Sequence, residues 1–191
     1  MKKAPKQMLG YSLLESSVVI AAMGVLVAIG VINTAASTQS AKSDGAMSMI
    51  MSQLRLARTE ALADRRNVTV SFDTNAQQLN VQIISVGQEP VHPVQSFPLP
   101  AGAQFVLESG VPDTPENFGN NDAVYFGDNA DGSTVMQFTP AGTFVDGNNN
   151  VLNGTVFLGV PGNAATARAV TIMGGGGNVQ RFTWNGSQWQ R

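Results

Sequence analysis

Few side chains in this chain have the type and spacing for chemistry, and Glu15 is the first of them. It stands in an apolar run, Leu13 to Ile32, whose other strongly polar members are Ser16 and Ser17. A carboxylate in such a run is costly unless a cation or strong donors meet it, so its presence asks for a function. Arg168, Arg181 and Arg191 form a second set. They are interleaved with Trp184 and Trp189, a pairing of cations with stacking surfaces that suits single-stranded nucleic acid. A third set is oxygen-rich: Asp128-Asn129-Ala130-Asp131-Gly132 and Asp146-Gly147-Asn148-Asn149-Asn150. Neither has EF-hand spacing or a closing glutamate, and turn chemistry explains both.

The remaining candidates argue against catalysis. His92 is the one histidine and lies beside Pro93. There is no cysteine, hence no thiolate nucleophile, disulfide or thiolate metal site. No serine is set in a nucleophile elbow. Gly174-Gly175-Gly176-Gly177 lacks the Lys-Ser or Lys-Thr of a phosphate loop and reads as a flexible turn between strands. No catalytic residue, cofactor or metal is expected.

Charge narrows the partners. Of the 191 residues only 13% are charged, against about 25% in a typical soluble protein. From Asn67 to Ala167 there is no Lys or Arg, while nine acids fall there. A body of that kind is a poor partner for a phosphate backbone, which disfavours nucleic acid.

These side chains are positioned by a helix and a β-rich body. Leu13 to Ile32 is twenty residues, about 30 Å as a helix, the thickness of a bilayer core. Lysines precede it (Lys2, Lys3, Lys6), which places the N-terminus in the cytoplasm and the rest outside. A cleaved secretory signal, with Thr34-Ala35-Ala36-Ser37 as its cleavage site, or a simple one-span anchor competes for this segment. Asn33 to Gly45 is small and polar and reads as a loosened stretch of helix. Beyond it Met47, Ile50, Met51, Leu54, Ala57, Ala61 and Leu62 recur at helical spacing and make one core-facing stripe. Arg55, Arg58, Glu60, Asp64, Arg65 and Arg66 decorate its solvated face.

After Arg66 the period switches to two. Val68–Phe72 and Leu79–Ile83 read as a hairpin about a turn at Asp73–Gln77. Further strands are expected at Gln104–Leu107, Thr134–Phe138, Thr155–Val160, Arg168–Met173 and Val179–Trp184. Asn185-Gly186 suggests a type I′ turn that folds Trp189 back. Loops are expected at Gly87–Pro100, Ser109–Asp122, Gly127–Ser133 and Asp146–Gly154. The fold class is α+β: a long N-terminal helix packed on an antiparallel sheet.

Gly10-Tyr11-Ser12-Leu13-Leu14-Glu15, after a short basic leader and before an apolar helix, resembles the class III signal of type IV pilins and pseudopilins. Tyrosine replaces the commoner phenylalanine but keeps the aromatic. Leu56-Ala57-Arg58-Thr59-Glu60-Ala61, Asn67-Val68-Thr69-Val70, Leu99-Pro100-Ala101-Gly102, Phe138-Thr139-Pro140-Ala141-Gly142 and a final strand led by Gly177-Asn178-Val179-Gln180-Arg181 follow in an order similar to GspH/FimT minor subunits. That final strand is less basic than the family's usual one.

The resemblance implies a prepilin leader at 1–10, a transmembrane and filament-core helix at 11–34, an amphipathic helix at 35–66 and a β-rich body at 67–191. It implies cleavage by prepilin peptidase between Gly10 and Tyr11, N-methylation of Tyr11, and pairing of Glu15 with a neighbouring subunit's N-terminal amine. Other pilin or pseudopilin subunits and an inner-membrane assembly platform would be its partners. The body would lie in the periplasm of a bacterium, and the filament would be a type II secretion pseudopilus or a type IV pilus. The alternative is a DNA-binding minor pilin for DNA uptake, with Arg168, Arg181 and Arg191 as contacts.

Overall fold

A computed structural model describes residues 12–85, 92–127 and 136–191, with 28–36 described in backbone alone. Helix α1 (Leu13–Asp64) runs unbroken through the apolar run and the amphipathic stripe. Its start is capped by Ser12. The Ser12 Oγ accepts from Leu14 N–H at 3.3 Å and the Ser12 carbonyl from Ser16 N–H at 3.1 Å. Glu15 thus falls on the third helical residue, where a carboxylate complements the positive end of the helix dipole. At the other end Arg65 takes φ 52° and Arg66 N–H donates to the Ala61 carbonyl at 3.3 Å, the six-to-one bond of a Schellman stop. The stretch expected to be loosened, Asn33 to Gly45, is helical throughout. It holds no proline, so its small polar residues have nothing with which to break the ladder.

The chain divides into two compact units, 1–38 and 39–191, and the division falls inside α1. In the first unit the described apolar side chains are bare: Leu13 is 90% exposed, Leu14 75%, Ile20 70% and Leu26 70%. Among the described residues no helix is long and apolar enough to cross a membrane. The side chains of 28–36, the end of the apolar run and the residues after it, lie outside the described ones, as the leader 1–10 and Tyr11 lie outside the described residues.

The second unit holds two antiparallel sheets rather than the single one expected. The first has β1 (Val68–Asp73), β2 (Gln78–Ile83), β3 (Gln95–Pro98), β6 (Met136–Phe138) and β7 (Phe144–Val145), in the order β3-β2-β1-β6-β7. The second has β4 (Gln104–Phe105), β8 (Gly154–Val160), β9 (Asn163–Met173), β10 (Asn178–Trp184) and β11 (Trp189–Gln190), in the order β11-β10-β9-β8-β4. The short β5 (Val124–Tyr125) also pairs with β8. The reason for two sheets lies in β8 and β9. Almost every residue of β8, and seven successive residues of β9, are buried, so these strands need cover on both faces.

One core serves the helix and both sheets. Met47, Ile50, Leu54, Ala57 and Ala61 of α1 meet Val68, Val70 and Leu79 of the first sheet and Val156, Leu158, Val170 and Ile172 of the second. Leu62, expected in that stripe, is instead 45% exposed. The far face of the second sheet packs Phe157, Ala169 and Phe182 with Leu107 and Trp189, and Ala167 and Trp184 with Val111.

Several local expectations shift. β3 lies in a stretch read as loop, β4 stops at Phe105, and β9 begins five residues early because Pro161-Gly162 turns the chain tightly, with Gly162 at φ +80°. Trp189 does fold back on Trp184, their rings 5.4 Å apart. The connection is not a two-residue type I′ turn, however. Trp184 pairs with Trp189, which leaves four residues, and only Gly186 among them has positive φ. The Asn185 side chain holds this loop by accepting from Ser187 N–H at 2.9 Å and Gln188 N–H at 2.8 Å.

The four-glycine turn is packed rather than flexible. A side chain at Gly174 would run into the carbonyls of Leu152 and Phe144, and one at Gly177 into the carbonyl of Gly142. Gly174 N–H donates to Asn153 Oδ1 at 2.9 Å and its carbonyl accepts from Phe144 N–H at 2.9 Å. The turn therefore joins the ends of both sheets.

Candidate functional site

Gly10 and Tyr11 lie outside the described residues. Glu15 is exposed in the first turn of α1, flanked by Leu14 and Val18, and forms no ion pair among the described residues. Ser17 Oγ donates to the Leu14 carbonyl at 2.8 Å, so this hydroxyl is occupied within the helix. Among the described residues the carboxylate has no cation partner, and the apolar side chains near it on the helix are bare.

The three arginines and two tryptophans do not make one surface. Arg168 is 5% exposed. Its Nε donates to Asp44 Oδ1 of α1 at 2.5 Å, and its Nη1 to the carbonyls of Ala165 and Ala167 at 3.3 and 3.0 Å. Strand alternation puts Arg168 and Arg181 on the face shared with Val170 and Ile172, toward α1. Trp184 and Trp189 belong to the other face. Arg191 lies there too, 5.5 Å over the Phe182 ring and paired with Glu116 at 2.8 Å. Trp189 Nε1 donates to the Pro112 carbonyl at 2.9 Å. These contacts tie the C-terminal strand to the 111–116 loop. Arg181 is exposed on β10 and stands apart from the tryptophans.

The oxygen-rich segment at Asp146 does perform turn chemistry. Its Oδ1 accepts from the N–H of Asn148 and of Asn150, both at 2.8 Å, and its Oδ2 from the Asn150 amide at 2.9 Å. The Asn150 side-chain amide, then the Asn150 and Asn148 backbone donors, hold the Asp146 carboxyl below its ordinary value, against a burial effect that raises it. Asp128 and Asp131 lie outside the described residues. His92 is half-buried, with Nε2 3.4 Å from Arg66 Nη1 and its carbonyl accepting from Gln82 Nε2 at 2.9 Å. Among the described residues no group of three or more His, Cys, Asp or Glu could hold a metal ion.

One concavity went unread in the sequence. A groove of about 510 Å³ runs between the last turns of α1 and the start of β10, lined by Arg55, Arg58, Thr59, Leu62 and residues 177–180. Its signal is the spacing 55, 58, 59, 62, a second face of α1 beside the core stripe. Arg55 Nη2 donates to the Val179 carbonyl at 3.3 Å and Arg58 Nε to the Gly142 carbonyl at 3.1 Å.

The second unit is thus an α+β body, and the first bares apolar side chains along the start of α1. The family described as "Type II transport protein GspH" matches residues 46–176, which is more than half of the chain. The chain belongs to that family, and is a GspH-type pseudopilin, a structural subunit rather than an enzyme. Among solved structures it is similar to the minor pseudopilin EpsH from the type 2 secretion system of Vibrio cholerae. The identity is 13% and the TM-score 0.45, over 74% of this chain and 97% of that one. No curated protein matches.

Proposed function

We propose that this chain is a minor subunit of a type II secretion pseudopilus, made as a precursor and cut by prepilin peptidase between Gly10 and Tyr11. The Tyr11 amine is then methylated. The apolar helix holds the subunit in the inner membrane as a single span, with the body in the periplasm, until the assembly platform passes it into the filament. There the helix packs among homologous helices, and Glu15 meets the N-terminal amine of a neighbour.

The observation that carries this reading is the bare apolar start of α1 on a GspH-family body. Leu13, Leu14, Val18, Val19, Ile20, Met23, Val25, Leu26 and Val27 are all exposed and occupy every side of the helix. A helix that is apolar all round needs lipid or other helices around it. Glu15 is the one described acid in that stretch, has no ion pair among the described residues, and lies at the end where a neighbour's amine would arrive.

The test compares the wild-type chain with Glu15→Ala and with Gly10→Val in secreting cells. Glu15→Ala is expected in the membrane fraction at normal level but absent from sheared filaments. Gly10→Val is expected to keep its leader, read by mass spectrometry of the N-terminus. Normal recovery of Glu15→Ala in filaments would remove the role given to Glu15. Normal trimming of Gly10→Val would remove the cleavage site.

A further inference from the structure

Among the described residues, one edge of β10 is only partly covered. β9 pairs with one side of it from Asn178 to Thr183. On the other side β11 reaches only Thr183 and Trp184. In an antiparallel ladder the backbone groups of alternate residues face opposite edges. Thr183 faces β11, so Arg181 and Val179 turn their N–H and C=O toward that same edge. The bond from Arg55 to the Val179 carbonyl fits this parity. Among the described residues no strand covers Val179 or Arg181 there.

The open edge borders the groove beside α1 and shares its charge. Arg55 and Arg58 line the groove, and Arg181 lies on the sheet face that looks toward α1. None of the three forms an ion pair among the described residues, and no acid lines the groove. Leu62 gives it an apolar wall. Three cations with no ion pair among the described residues therefore flank a strand edge that no described strand covers at Val179 and Arg181, where Arg55 meets the Val179 carbonyl.

The geometry points to a docking site for an extended acidic segment of a partner protein, which adds to the second sheet as a strand antiparallel to β10 and in line with β11. β11 already shows that this edge accepts a strand, and Val179–Arg181 is the next part of the same edge. Strand addition provides backbone hydrogen bonds, and alternate side chains provide selectivity. Every second residue of the added strand would point to the arginine face, where carboxylates fit Arg181, Arg55 and Arg58. A nucleic-acid strand fits less well. Its phosphates only accept, and they would face the Arg181 carbonyl, which needs a donor. This docking site does not depend on whether the subunit enters a filament.

The test uses the full chain in detergent micelles and a blocked heptapeptide of alternating Glu and Val. The same peptide with Lys for Glu, and a short oligothymidylate, serve as comparisons. Amide exchange of the labelled protein is the readout. The Glu peptide is expected to slow exchange at Val179 and Arg181, and the Lys peptide to leave both unchanged. Arg181→Glu should weaken binding at least about tenfold, and Arg181→Lys should retain most of it. Arg55→Gln gives a second charge variant should Arg181→Glu fail to fold, a failure visible as loss of the remaining amide spectrum. No protection of these two amides at saturating peptide would overturn the proposal. So would an equal response to the Lys peptide, or a stronger response to the oligothymidylate than to the Glu peptide.

Discussion

Arg168 has a clear reading at the scale of single residues. In the sequence it is a cation near two tryptophans, and nothing local distinguishes it from Arg181. The structure separates the two through Asp44, which is 124 positions away in the chain. Sequence spacing cannot report a pairing of that range, so the burial of Arg168 was illegible where its type was not. Arg168 has a side chain 6% exposed against 51% for Asp44, so the acid supplies charge from a half-wet position. Removing one partner of a buried pair costs far more than a surface pair is worth, and the partial exposure of Asp44 reduces that cost. Asp44→Ala is expected to destabilise the body by about 1–3 kcal/mol. Asp44→Asn, which keeps an acceptor, should cost less. Urea unfolding followed by tryptophan fluorescence distinguishes the two, and equal stability of all three proteins would mean that the bond does not anchor α1 to β9.

Among the elements, legibility followed length and periodicity. β1 and β2 alternate over six residues, and β8 and β10 run for seven residues rich in β-branched and aromatic side chains, so all four were readable as strands. β5 and β7 have two residues each, too few to show a period. That the strands divide between two sheets was illegible for another reason: alternation shows that a strand has a buried face, not which strand shares it. The Gly174–Gly177 turn was legible as a turn and not as a packed junction, because what packs on it comes from Gly142, Phe144 and Leu152. Its glycines are consequently unequal. Gly177 combines φ +59° with backbone against its absent side chain, whereas Gly175 has open space around it. Gly177→Ala is therefore expected to cost at least about 2 kcal/mol, and Gly175→Ala to stay within about 0.5 kcal/mol of wild type. Denaturation midpoints at constant slope measure both, and equal midpoints would show that the turn yields as freely as its composition suggests.

For the whole molecule, the apolar run and the amphipathic stripe lie on one helix, α1. The sequence suggests a division of this helix, because an apolar run and an amphipathic stripe differ in composition as well as in period. The sequence boundary fell at residues 34 and 35, and the compact units divide between 38 and 39. The described core of the body begins at Ala46, so no side chain before it contributes to the shared cluster. One link from α1 to the sheets is Gln39, whose Oε1 accepts from Asn163 Nδ2 at 2.7 Å. Residues 39–191 should then fold without the segment that precedes them. The fragment is expected to unfold within about 5 °C of the full chain when both are held in the same detergent, since a loss near 1 kcal/mol shifts a domain of this size by only a few degrees. The Trp184–Trp189 pair should give the same near-ultraviolet dichroism in both. A fragment that keeps its helical and strand signal but loses that dichroism would show that the N-terminal segment helps to order the body.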